Sequence, residues 1–286
     1  MTSTPCWRSS LAKALLSRTV GFTFTDPDAA GTFGTFLDYL PEVRSTPDWE
    51  YSIARTSAGV TVAFEGREIC QGVSALEACF LVEQHACARL LPGEPDALVL
   101  HAAAVRHLPT GTVVVLPGGP RSGKTTLSLA ALQSGRFLYL SEDCLGVDRD
   151  PCESIPLSRA LRWRGVDTPT IDTAEWRAHP LDRLPVTLLV PSRERVTRCP
   201  REPAPSLAVF PSFARHCAAE AQPLTRGEVL ARLAAASVNE ISSLRNGGFD
   251  RLRALAGRTP GVALAWSDAA AAIRKVESLL PAHGVG

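Results

Sequence analysis

The chain has 286 residues, 45% of them hydrophobic and 21% charged, and its 30 basic and 29 acidic side chains leave a net charge of +1. That composition excludes a disordered chain, a fibrous repeat and a membrane bundle, and the even charge balance gives no electrostatic footprint for nucleic acid. No apolar run approaches the ~20 residues of a membrane span, so no membrane partner is expected, and the length admits one large domain or two modest ones.

Met1–Thr25 lacks acidic residues and carries Arg8, Lys13 and Arg18. Without an apolar central region it is no secretory signal, and we expect an N-terminal arm followed by a first helix. Val20–Thr25 alternates apolar and polar residues, as a half-buried strand does. Asp28–Leu40 has helical spacing at Phe33, Phe36, Leu37 and Leu40. Tyr51–Arg55 and Val60–Phe64, separated by Ser57-Ala58-Gly59, predict a hairpin. Ser74 with Glu77 three residues on forms a capping-box start for a helix reaching Leu91, which Pro92-Gly93-Glu94-Pro95 stops. Residues 1–95 therefore read as a small α+β domain, and residues 96–286 as a second one.

The second part changes character. Leu98–Val105 and Thr112–Leu116 are nearly continuous apolar runs, the pattern of strands buried on both faces. Leu127–Leu132 predicts a helix closed by Gly135. Phe137–Leu140, Val186–Val190 and Ser206–Phe210 are further buried strands. The C-terminal third is expected to be mostly helical, with starts near Thr225, Gly248 and Ser267. The fold class is α/β with a mixed sheet. Eight cysteines without C-x-x-C pairs or zinc spacing are expected to be free thiols in a reducing cytoplasm.

Only three residues are lysines, and one of them, Lys124, completes Gly118-Gly119-Pro120-Arg121-Ser122-Gly123-Lys124-Thr125. This is the G-x-x-x-x-G-K-[ST] phosphate loop, set between a buried strand and a helix as that motif requires. Its glycines let backbone N–H groups turn toward a polyphosphate at the positive end of the following helix. Lys124 would reach the β- and γ-phosphates of ATP, with Thr126 beside it, and the Thr125 hydroxyl would ligate Mg²⁺. Pro120 has no N–H to give. A loop of this kind needs a carboxylate, and Glu142 and Asp143 end a predicted strand 18 and 19 residues after Lys124. On a strand beside the loop's own strand they would lie near the γ-phosphate. Adjacent strand residues face opposite ways, so one acid would serve the metal and the other accept a proton.

Leu98-Val99-Leu100-His101-Ala102-Ala103-Ala104-Val105, the phosphate loop and Leu140-Ser141-Glu142-Asp143 together resemble the kinase domain of HPr kinase/phosphorylase, and its HPr kinase-related relatives more closely. The resemblance extends over about residues 97–286, through Leu207–Pro211, Pro223–Thr225 and Gly247–Leu252. It implies a phosphoenolpyruvate-carboxykinase-like phosphate-loop kinase domain. It places Glu142 where the family has its general base, Asp143 on a metal-side acid, and His101 on the family's histidine. Three departures accompany it. Glu142 is longer than the family's aspartate, and Arg121 replaces a customary glycine, bringing a positive side chain to the phosphates. Arg162-Trp163-Arg164-Gly165 keeps only the R-G of an E-x-R-G segment, leaving Arg164 as its phosphate or substrate contact. No phosphorylase loop is present.

The resemblance implies an ATP-dependent kinase acting on a hydroxyl, either a serine of a peptide or protein or a small-molecule alcohol. The N-terminal unit could capture a peptide by adding a strand. The alternative is a nucleotide-binding switch or partner-dependent ATPase with no phosphoryl acceptor. A carboxykinase usually needs a second metal with His and Lys ligands, and lysine is nearly absent here. Family members can be hexameric, which leaves a homo-oligomer open. Arg193, Arg195, Arg198 and Arg201 are a further candidate dock for an acidic substrate.

Overall fold

The computed structural model describes residues 8–148, 152–164, 176–239 and 247–281. The arm's residues 1–7 and Gly165 of the R-G pair lie outside them. The fold is mixed α/β, with six α-helices among the described residues and both parallel and antiparallel strand pairs.

The N-terminal part is a five-stranded sheet in the order β1 (Ser9–Leu15), β2 (Arg18–Phe24), β3 (Trp49–Thr56), β4 (Gly59–Phe64) and β5 (Arg67–Val73). The expected first helix is instead β1, which pairs antiparallel with β2 from Ser9–Phe24 to Leu15–Arg18. Residues 9–15 follow a period of two, and the partner strand decides the matter. Helix α1 (Pro27–Phe36) starts at Asp26, whose carboxylate caps Ala29 N, and stops earlier than its apolar spacing suggests. Helix α2 (Ala75–Leu90) makes both bonds of the expected capping box between Ser74 and Glu77. The two helices pack together, and Phe22, Phe24, Phe33, Tyr51 and Phe64 fill the space beneath.

The second part is built on a six-stranded sheet. Its order is β16 (Glu220–Leu224), β17 (Gly261–Trp266), β15 (Pro205–Phe213), β8 (Val113–Pro117), β7 (Ala102–His107) and β9 (Phe137–Ser141). The alternation of β7 and β8 sorts their side chains between two cores. Ala103, Val105, Val114 and Leu116 pack on the face covered by α3 (Lys124–Gln133) and by the last helix, α6 (Ala269–Glu277). Ala102, Ala104, Val113 and Val115 meet the opposite face under α4 (Arg226–Ala236) and α5 (Gly248–Arg258). The C-terminal third thus holds two strands, β16 and β17, that its helical reading omitted.

The run Leu98–Val105 is not one strand. Strand β6 (Ala97–Leu100) joins β10 (Leu145–Asp148) and β11 (Ser154–Pro156) in a small sheet, and the chain crosses to the central sheet at His101. A third small sheet is formed by β12 (Leu161–Trp163), β14 (Thr187–Pro191) and β13 (Trp176–Pro180). One hydrophobic cluster runs from the N-terminal sheet through α2 to Cys144, Leu157, Ala160 and Leu188. Helix α2 therefore reaches the segment that carries the acids.

Candidate functional site

Strands β8, β15 and β17 run parallel, and β9 shares their direction because both β8 and β9 are antiparallel to β7. Their carboxyl ends open at one edge of the sheet, where α/β proteins bind ligands. Each end contributes to one cavity of about 810 Å³: the segment Pro120–Thr126 after β8, Glu142 and Asp143 after β9, Phe213 on β15 and Trp266 on β17. Contrary to the expectation from the sequence, strand β9 is not beside the loop's strand, because β7 lies between them. The acids still come near the loop, since β8 and β9 end on the same side.

The loop runs into a helix start that no side chain caps. Among the described helices, α1, α2, α4 and α6 each have a side chain capping the first turn. Helix α3 starts on Gly123 without one. Its first N–H groups and positive dipole end thus face the loop without a side-chain acceptor. Gly123 has φ +96°, and a Cβ there would lie 2.3 Å from Trp266 Cζ2. Gly123→Ala is therefore expected to cost about 2–5 kcal/mol through left-handed strain and overpacking. The loss would be read as a lower urea midpoint at an unchanged m-value. Arg121 takes φ +65°, a left-handed conformation with no glycine to ease it. Strain of this kind is typical of ligand-binding loops. Ser122 Oγ is buried and has no hydrogen-bond partner, an orphan hydroxyl within the loop.

Lys124 is buried, and its Nζ donates to the carbonyls of Gly118 at 2.5 Å and Gly119 at 3.0 Å. Burial lowers its pKa below the usual lysine value, an effect that the carboxylates of Asp143 and Glu142 partly offset. Thr125 Oγ1 donates to Glu142 Oε1 at 3.1 Å. His101 stands at the crossing from β6 to β7, where its N–H donates to Ala236 O and its carbonyl accepts from Gly118 N. Its Nε2 is 2.7 Å from Asp143 Oδ1. Burial tends to raise the Asp143 pKa, but the His101 hydrogen bond and the Arg162 and Arg159 guanidinium groups hold it well below the ordinary carboxylate range.

The two acids lie just past β9, in a bend, and do not point apart as strand residues would. Both accept from Arg162: Glu142 Oε2 is 3.2 Å from its Nη2, and Asp143 Oδ2 is bonded to the same nitrogen. Behind Arg162 lies Arg159, whose side chain is 4% exposed and which pairs with Glu83 of α2 at 3.2 Å. Gln84 of α2 accepts from Arg162 Nη1 at 3.0 Å.

The cavity thus joins His101, Arg121, Ser122, Gly123, Lys124, Thr125, Thr126, Glu142 and Asp143. It also takes in Arg164, the residue singled out from the R-G pair. Gly118 and Gly119 contribute through the carbonyls that hold Lys124. Arg159, Arg162, Phe213 and Trp266 were not found by sequence reasoning. Arg162 stands among 27 arginines, with no spacing rule to separate it from the rest. Trp266 could have been found, since it closes an apolar run bounded by Pro260 and Ser267-Asp268. The other arginine group is partly committed: Arg193 pairs with Asp38 at 2.6 Å, Arg195 donates to Gly135 O, and Arg201 pairs with Asp148.

No protein-family model and no curated protein matches this chain. The seven described cysteines are free, and no described helix is long and apolar enough to cross a membrane.

Proposed function

We propose that the protein is a phosphate-loop kinase that transfers the γ-phosphoryl group of Mg·ATP to a hydroxyl, on a phosphoenolpyruvate-carboxykinase-like domain of the HPr kinase-related kind. The observation that carries this reading is the convergence, in one cavity, of an uncapped helix start with Lys124 and two carboxylates. The donor set fits Mg²⁺, which takes hard oxygens from one or two carboxylates and a hydroxyl while keeping phosphate and water ligands. Thr125 Oγ1 and Glu142 Oε1, 3.1 Å apart, would hold it. When bound, the ion supplies positive charge to the β- and γ-phosphate oxygens.

On this reading the two acids exchange the roles expected of them. Glu142 stands with Thr125 on the metal side, and Asp143 stands with His101 on the acceptor side. The acceptor oxygen forms a bond to the γ-phosphorus while the bond to the β,γ-bridging oxygen breaks, and the acceptor's proton passes to the His101–Asp143 pair. Asp143, kept ionised, fixes the orientation and tautomer of the imidazole. Lys124 and the first N–H groups of α3 neutralise charge on the transferring group.

The test is transfer of labelled phosphate from Mg·ATP to serine peptides, hydroxy-amino acids, sugars and nucleosides. His101→Ala is expected to lower transfer by about 10²–10⁴-fold with ATP affinity kept, and Glu142→Gln to raise the Mg²⁺ concentration needed. Wild-type turnover in His101→Ala would remove the pair from the mechanism.

A further inference from the structure

Lys124, Arg159 and Arg162 are the three cations that surround Glu142 and Asp143, and they are not equivalent. Lys124 is tied to the loop carbonyls, and Arg159 is sealed between α2 and the acids. Arg162 alone of the three places its guanidinium across both carboxylates while lining the cavity. Through Glu142 it stands two hydrogen bonds from the Thr125 hydroxyl at the first turn of α3. A triphosphate seated in the loop would present its outermost oxygens toward Glu142 and Asp143. Two unscreened carboxylates facing that charge would repel it in a partly desolvated site. Arg162 is placed to meet both, with a planar fork suited to phosphate as much as to carboxylate.

We propose that Arg162 is the residue that reads the terminal phosphate of the nucleotide, and that Gln84 of α2 is a positioning residue that holds its guanidinium there. The proposal rests on the phosphate-loop reading above and adds a consequence to it. Discrimination between nucleoside triphosphate and diphosphate depends on an arginine outside the loop motif, held by the N-terminal sheet's own helix. Glu83 supports the arrangement from the neighbouring position of α2 by fixing Arg159.

Calorimetric titration of the full chain with Mg·ATP and Mg·ADP tests it. The wild type should bind ATP more tightly than ADP. Arg162→Ala should weaken ATP by on the order of 10- to 100-fold and leave ADP nearly unchanged, the effect of removing one charge-assisted bond. Gln84→Ala should give a smaller loss in the same sense at an unchanged melting temperature, which a merely structural glutamine would not do. If Arg162→Ala does not fold, Arg162→Lys provides the test, since it keeps the charge without the fork and should lose part of the ATP preference. Equal weakening of both nucleotides, or an unchanged ATP preference in these variants, would overturn the assignment to Arg162. A wild type that binds neither nucleotide would overturn the phosphate-loop reading itself.

Discussion

Lys124→Ala is expected to remove measurable Mg·ATP binding while leaving the fold intact. The ammonium donates to two loop carbonyls, so its loss opens two acceptors at the cavity wall, where water can replace it. The structural cost should stay small because burial already disfavours the charged form. The cost to binding is larger. Lys124 is the cation nearest the β- and γ-phosphates on the proposed reading, and charge-assisted bonds in a partly desolvated site contribute about 1.5–3 kcal/mol each. Removing two such bonds together corresponds to roughly 10²–10⁴-fold in affinity. Fluorescent-nucleotide titration beside a thermal melt separates the two effects. Tight ATP binding by a folded Lys124→Ala chain would contradict the role given to the lysine.

The largest expected effect on stability belongs to Arg159→Ala. This guanidinium pairs with Glu83 at 3.2 Å, lies 3.7 Å from Asp143, and donates to Cys87 Sγ at 3.4 Å. Removing it leaves Glu83, whose side chain is 16% exposed, without its main partner, a change that costs about 2–4 kcal/mol, somewhat less than breaking a fully buried pair. Burial raises the Glu83 pKa above its ordinary 4.5, and the arginines pull it back down. Without Arg159 only the Arg162 guanidinium opposes that upward push. A carboxyl whose folded pKa exceeds its unfolded one destabilises the fold as pH rises above the unfolded value, and does not below it. The penalty of Arg159→Ala should therefore be greatest at neutral pH, fall as pH drops through the raised folded pKa, and be largely gone by about pH 4.5. Pairing Arg159→Met with Glu83→Gln should recover much of the loss. Urea titrations at pH 7 and pH 4.5 check both points, and a penalty that does not vary with pH would disprove the account of Glu83.

These two residues mark the limits of what the sequence discloses. The Gly118–Thr125 motif stands out in the sequence because it sets fixed residue types at fixed spacing, and the capping box at Ser74 is legible for the same reason. The hairpin around Ser57-Ala58-Gly59 follows from local turn chemistry. Residues placed by long-range pairing are not legible in this way. Strand β1 exists because β2 accepts it, and a short run with both polar and apolar residues does not announce a partner. His101 reads as part of one continuous apolar run, yet the chain changes sheets there, so its carbonyl and imidazole both serve the site. Arg159 and Arg162 become distinct only when α2, far earlier in the chain, brings Glu83 and Gln84 against them. Trp266 is set by the approach of Gly123, a contact spanning more than half of the second part of the fold.

Phosphorus NMR of Mg·ATP mixed with the protein and a panel of hydroxyl acceptors tests the kinase assignment most directly. A new phosphomonoester resonance should grow as the γ-phosphate signal declines, with one acceptor class and not with Lys124→Ala. Inorganic phosphate as the sole product across the whole panel would contradict a kinase and leave a nucleotide-hydrolysing switch. Spectra of ATP unperturbed by the protein would contradict the phosphate loop as well.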